Sequence, residues 1–200
     1  MVTEKLNEYG AFFEVKGMLA GEFKFLARAV GDEPWRYFIN YIKIEEVEPS
    51  TEERPYPILR GIATDGRRMH VVDPLDIKAG EYGIKPGLLR MVSCKSVVQL
   101  AEKVTADVSQ YVNWRKVIPK TPLQSVCVFT GCDLKRRDGQ SSLELSRLFR
   151  AFPVPTPLNV KYLEGLGFGY DWDVQWESER KGVVFKSGTM TAIIMPMNDD

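Results

Sequence analysis

Apolar residues at Phe23, Leu26, Ala27 and Val30 fall at helical spacing and predict a short amphipathic helix over Glu22–Val30, with Gly31 as its stop. Lys24 and Arg28 sit four apart on another face of that helix and give it a basic stripe. The pattern then changes. Tyr37–Ile44 is rich in aromatic and β-branched residues and predicts a strand, followed by a polar loop over Glu45–Pro57. Ile58–Thr64 and Met69–Val72 predict a hairpin about Asp65-Gly66, because Asp and Gly tolerate the positive φ of a tight turn, with Asp73-Pro74 closing the second strand. Ahead of all this, Ala11–Val15 reads as an edge strand or a packed N-terminal arm.

Beyond the hairpin, Pro86–Met91 predicts a short helix, while Ser96–Val108 has apolar residues without a clean period and stays open between helix and strand. Tyr111–Pro119 is a compact aromatic and basic segment, Leu123–Thr130 a strand and Asp133–Gly139 a charged turn. Ser141-x-x-Glu144 matches a capping box ahead of Leu145, Leu148, Phe149 and Phe152, so a helix is expected up to the proline cluster at 153, 155 and 157. Another short helix is expected over Leu158–Leu166, then strands at Val174–Glu177, Val183–Lys186 and Thr189–Met195.

Helix followed by three strands thus occurs twice. The expected fold class is α+β: repeated units of a helix plus antiparallel strands, each sheet burying one face under its own helix, with a first unit over 1–110 and a second over 111–200 that can pack as one domain.

Composition changes this picture by exclusion. Lys+Arg and Asp+Glu both number 27, so the formal net charge is zero and binding to an anionic partner has to come from a local patch. No window reaches the roughly 18 apolar residues of a membrane span, and the start MVTEKLNEYG lacks the apolar core of a signal peptide, which predicts a cytoplasmic protein without membrane contact. His70 is the only histidine, which leaves no two-histidine site. Cys127-x4-Cys132 with Cys94 makes neither a disulfide framework nor a zinc pattern, so three buried free thiols are expected. The Asp65-Gly66 and Asp138-Gly139 turns lack calcium-loop spacing, and no glycine-rich phosphate loop occurs. No catalytic set, metal site or cofactor is expected.

Three segments, ATDGRRM at 63–69, YVNWRKVIPK at 111–120 and AIIMPM at 192–197, resemble in the same order three motifs of bacterial sliding clamps, the β subunit of DNA polymerase III. Those motifs are an Ala-Thr-Asp-Gly-His-Arg-Leu hairpin, a Phe-Pro-Asp-Tyr-Arg-Arg-Val-Leu-Pro segment and a C-terminal Val-Val-Met-Pro-Met. LNVKYLEGL at 158–166 is similar to the helix before the last strands of that family. The resemblance covers about half of the chain in scattered pieces and implies a shortened, DNA-clamp-like fold of bacterial or phage origin, with 1–110 resembling part of the middle clamp domain and 111–200 a shortened last one.

In that family these segments line an apolar pocket for short peptide tails of polymerases and other replication or repair proteins. Carried over by position, the implied peptide-binding residues are Thr64, Gly66, Arg67, Arg68 and Met69; Val112, Lys116 and Val117; and Ile193, Met195, Pro196 and Met197. Arg67 stands where the family has His, Met69 where it has Leu and Val112 where it has Pro, which implies a changed peptide preference. Lys24, Arg28 and Lys161 are the helix cations implied to touch double-stranded DNA through its phosphates, without sequence readout. The expected function is a non-enzymatic replication or repair accessory protein that binds partner peptides. Its rivals are a homo-oligomeric ring acting as a processivity factor and a small ligand-binding protein or enzyme that shares only the fold.

Overall fold

Asp65 and Gly66 form the turn they predict, Gly66 at φ +88°, between strands β4 (Ile58–Thr64) and β5 (Arg68–Lys78) paired as Thr64↔Met69, Ala63↔His70 and Ile62↔Val71. In this computed structural model residues 2–7, 10–48, 51–53, 57–78, 86–94, 98–102, 111–119, 123–130, 158–167, 169–178 and 181–197 are described. The expected turn at 133–139, the capped helix at 141–152 and the proline cluster lie outside them. The chain divides into two units, Met1–Val112 and Asn113–Asp200.

In the first unit β1 (Val2–Asn7), β2 (Gly10–Val15), β3 (Ile42–Glu48), β6 (Gly87–Cys94) and β7 (Val98–Glu102) join the hairpin. The strand order is β1-β2-β7-β6-β3-β4-β5, antiparallel at every described pair. Ala11–Val15 therefore lies inside the sheet, between β1 and β7, and β1 takes the edge.

Helix α1 (Met18–Ala27) packs over β4 and β5 and reaches β6 and β7. It starts earlier than the 22–30 spacing suggests, because Leu19 and Ala20 extend the buried set formed by Phe23, Phe25 and Leu26. The end is also earlier than Gly31: Ala29 N–H bonds to Leu26 O at 3.0 Å and Val30 N–H to Ala27 O at 3.2 Å, the tighter winding of a helix terminus. Close contact between helix and sheet depends on Gly61 of β4, where a Cβ would lie 2.5 Å from Leu26 Cδ1 and 3.0 Å from Leu75 Cδ1.

Three local readings are corrected. Residues 37–39 belong to a 3-10 helix, Pro34–Ile39, and the strand begins only at Ile42 and runs on to Glu48, taking the first four residues of the expected polar loop. Proline pre-sets φ for a helical turn, and the true strand alternates, with Ile42 and Ile44 buried and Lys43 and Glu45 half-buried. Pro86–Met91 forms no helix, since Gly87–Cys94 is a strand flanked by β3 and β7. Leu88 and Leu89 are consecutive and both buried, so the sheet is covered on both faces there and the strand loses the alternation that would mark it. Finally, β5 passes through Asp73-Pro74 to Lys78, because these two residues sit in an irregular register where Leu59 faces Leu75 and Gly61 faces Val72. A proline is tolerated at such a bulge, where no ladder donor is needed.

The second unit carries a 3-10 turn at Trp114–Lys116, β8 (Ser125–Thr130), helix α2 (Val160–Glu164), β9 (Asp171–Gln175), β10 (Val183–Ser187) and β11 (Met190–Ile194), with strand order β11-β10-β9-β8. Asn159 caps α2, its side-chain oxygen accepting the Lys161 N–H at 3.0 Å. Trp172 and Val174 alternate inward from β9, and Leu163, Leu166, Phe185 and Ile194 are buried with them. All four strands expected here and the helix expected over 158–166 are present, with β9 displaced three residues toward the N-terminus, from Val174 to Asp171.

Candidate functional site

The hairpin turn is held by its own side chains. Asp65 Oδ1 accepts the N–H groups of Arg67 at 2.9 Å and Arg68 at 3.0 Å, while its Oδ2 takes Arg68 Nε at 3.0 Å. Thr64 Oγ1 donates to the Arg68 carbonyl at 2.7 Å and accepts Gly66 N–H at 3.0 Å. The result is that Thr64, Gly66 and Arg68 are structural parts of the turn, Arg68 being ion-paired and half-buried. Arg67 is exposed. Met69 is only 3 % exposed.

Sequence reasoning missed Arg36. A Cβ on Gly66 would lie 3.3 Å from Arg36 Nη1, so this guanidinium packs against the turn, with its Nε 3.5 Å from Glu33 Oε2. Its neighbour Trp35 is 75 % exposed. Its 3-10 helix has no clear sequence mark, because the aromatic and β-branched run from Tyr37 has the composition of a strand.

Beneath the hairpin, His70 is fully buried, stacked on Phe25 with ring centroids 4.1 Å apart, and its Nδ1 lies 2.6 Å from the Phe25 carbonyl. A carbonyl only accepts, so Nδ1 carries the proton and Nε2 is bare, without a hydrogen-bond partner among the described residues. Burial first, and then the Arg68 and Arg28 charges, push the imidazole down to about 3 against the raising effect of the Phe25 bond. His70 is therefore neutral and a core residue.

At the end of the first unit the Tyr111 hydroxyl lies 3.2 Å from the Ile62 carbonyl and 3.3 Å from that of Tyr41, and Lys43 Nζ stands 5.6 Å from its ring centroid. Burial raises the phenol above its ordinary range. Tyr111 thereby fixes the chain just before Val112, which is half-buried.

In the second unit Trp114 is buried beneath the Arg115 guanidinium, 4.6 Å from its ring centroid, and the turn places Lys116 and Val117 at the surface, Val117 being 39 % exposed. Ile193 is buried at 2 % and lies over Gly182, where a Cβ would sit 2.6 Å from Ile193 Cγ2 and 3.3 Å from Met195 Sδ. Past the end of β11, Met195 and Met197 are 38 % and 49 % exposed about the half-buried Pro196. Of the implied peptide-binding residues, then, Val117, Met195, Met197, Lys116 and Arg67 present surface, whereas Met69 and Ile193 lie in packed interior.

Among the implied DNA cations, Lys161 is exposed on α2, while Lys24 and Arg28 border a cavity with Ala27 and Met91. Cys127 is a free thiol, but half-buried, and burial with the nearby Asp173 carboxylate raises it. Among the described residues no three His, Cys, Asp or Glu side chains group as metal ligands, and no helix is long and apolar enough to cross a membrane.

No protein-family model and no curated protein matches the chain. Solved structures do. The sliding clamp of Borrelia burgdorferi in complex with a natural product superposes with a TM-score of 0.59 at 11 % identity, over 94 % of this chain and 64 % of the other. The clamp of Bartonella birtlesii bound to griselimycin gives 0.56 at 16 %, over 94 % and 66 %, and that of Thermotoga maritima 0.56 at 14 %, over 98 % and 68 %. The chain spans about two thirds of the length of these structures.

Proposed function

We propose that this chain, which has the fold of bacterial DNA sliding clamps, is a non-enzymatic replication or repair accessory protein that holds short peptide tails of partner proteins. One observation carries the reading. Six large apolar side chains are exposed among the described residues, and three of them, Val117, Met195 and Met197, fall in the segments that resemble the clamp peptide motifs. Exposed methionines are costly to leave in water and well suited to a partner, because the unbranched thioether adapts to differently shaped apolar side chains. Lys116, exposed in the segment that carries Val117, supplies a cation for a peptide carboxylate.

In the first unit the hairpin separately presents Arg67, whose exposure follows from Asp65 engaging its backbone and not its side chain. Met69 in the first unit and Ile193 in the second are buried, so each acts from within its own unit.

The test is fluorescence anisotropy with a labelled peptide carrying a clamp-binding motif of a bacterial replicative polymerase, and with griselimycin as competitor. Saturable binding is expected, weakened at least tenfold in the Met195→Ala/Met197→Ala double variant while its circular dichroism spectrum shows a folded chain, since neither side chain belongs to the buried core. Absence of saturable binding, or equal binding by the double variant, defeats the proposal. Arg67→Ala reads the hairpin separately.

A further inference from the structure

In the second unit the strand order is β11-β10-β9-β8, so β8 stands at the end: it pairs with β9 on one side, and among the described residues no strand meets its other side. An edge strand shows unpaired N–H and C=O groups, and proteins guard such edges with charges or prolines. The edge strand of the first unit, β1, has Glu4 and Lys5 at its centre. By contrast β8 reads SVCVFT, without charge, glycine or proline. Its irregular register between Ser125 and Cys127 lies at one end and leaves positions 127–130 in regular pairing with β9. Within that run Val128 is 68 % exposed. Register sets the faces: Cys127 pairs with the buried Val174 and so stands on the core face, whereas Val128 pairs with Asp173 on the outer face, where Asp173 is opposite Lys186 of β10.

We propose that β8 is the contact through which two copies of this chain pair as a two-fold symmetric dimer, the strands antiparallel and Val128 opposite its own counterpart. Pairing about that axis sets position 127 opposite 129 and 126 opposite 130, so the ladder is extended without burying a charge. The outer face agrees with it. Each Asp173 keeps Lys186 opposite it in its own sheet and stands three strand spacings, about 14 Å, from the Asp173 of the second copy, beyond the reach of strong repulsion at physiological salt. The other edge, β1, is a poorer occupant. Aligned antiparallel with β8 over six residues, it sets Glu4 opposite Val128 and Lys5 opposite Cys127, charges against apolar positions. One strand from each copy makes a small contact, so the dimer is weak and depends on concentration. Nothing in this inference uses the Met195–Met197 surface or a peptide ligand.

The test is analytical ultracentrifugation of the full chain from micromolar to near-millimolar concentration, which should show a reversible shift from 22.8 kDa to twice that mass. Val128→Asp and Val128→Lys should each stay folded by circular dichroism, because the side chain is largely in solvent. Each should raise the dimer dissociation constant at least tenfold, since the two-fold axis sets like charges directly opposite one another. Mixing the two variants should restore the dimer, because Asp then faces Lys, and this separates a lost contact from a lost fold. The proposal is overturned by a chain that stays monomeric throughout, by a dimer undiminished in Val128→Asp, or by a mixture no heavier than its components. An assembly larger than a dimer overturns it as well, because a two-fold contact between identical edges is closed.

Discussion

His70 makes the stability of the first unit depend on pH in a way that can be worked out beforehand. The ring is fully buried, its Nδ1–H is committed to the Phe25 carbonyl and Arg28 and Arg68 oppose added positive charge, so the folded state holds it neutral down to about pH 3. An unfolded chain takes up that proton near the ordinary histidine value of 6.5. Below 6.5 the unfolded state binds more protons than the folded one, and stability is lost as pH falls toward 3, at up to about 1.4 kcal/mol per pH unit. Between pH 7 and pH 5 the loss comes to about 2 kcal/mol. Carboxylates add their own pH dependence, and the His70→Phe variant removes it by comparison: phenylalanine keeps the stack on Phe25, loses the hydrogen bond at every pH and cannot titrate. Urea unfolding followed by circular dichroism at pH 7, 6 and 5 should show the wild type's stability relative to His70→Phe shrinking by about 2 kcal/mol across that range. Because His70 is the only histidine, its ring resonances are also unambiguous, and they should not move between pH 8 and pH 4. Parallel stability curves for the two proteins, or ring resonances titrating near 6.5, would refute the account of a neutral buried imidazole.

Three further outcomes test the architecture. Gly61→Ala should cost about 1–3 kcal/mol by thermal or urea unfolding, because the added methyl meets Leu26 and Leu75 in a packed interface and pushes α1 off the sheet. Asp65→Ala removes three hydrogen bonds from the turn and should cost about 2 kcal/mol, with faster amide exchange confined first to residues 64–69. Tyr111→Phe should cost about 1 kcal/mol, since the Ile62 and Tyr41 carbonyls lose their donor, and an unchanged unfolding midpoint would argue against its anchoring role.

Legibility in the sequence followed the strength of local chemistry. Asp65-Gly66 specified its hairpin because the turn is stabilised within five residues and needs no tertiary partner, and the strands at 183–187 and 190–194 lie where the sequence places them, whereas β9 starts at Asp171, so that the inward Trp172 falls outside the expected strand. Leu88-Leu89 was misread as helical because a strand covered on both faces carries no period, and the 3-10 helix at 34–39 was overrun by the aromatic content of Tyr37 and Phe38. Within the candidate site the resemblance located segments and not exposures. Met69 and Met195 look alike in sequence, yet one pairs across β4 in the interior and the other stands past the end of β11.

The self-contained turn at Asp65 has a consequence for how this surface can change over generations. Asp65 and Thr64 hold the backbone of residues 66–68 and the Arg68 guanidinium, and none of these bonds uses the Arg67 side chain. Position 67 is thus a place where substitutions can accumulate at little cost to folding while altering the chemistry shown to solvent. The fold supplies the hairpin with one variable letter inside an otherwise fixed word, and selection for a new partner can act on that letter alone.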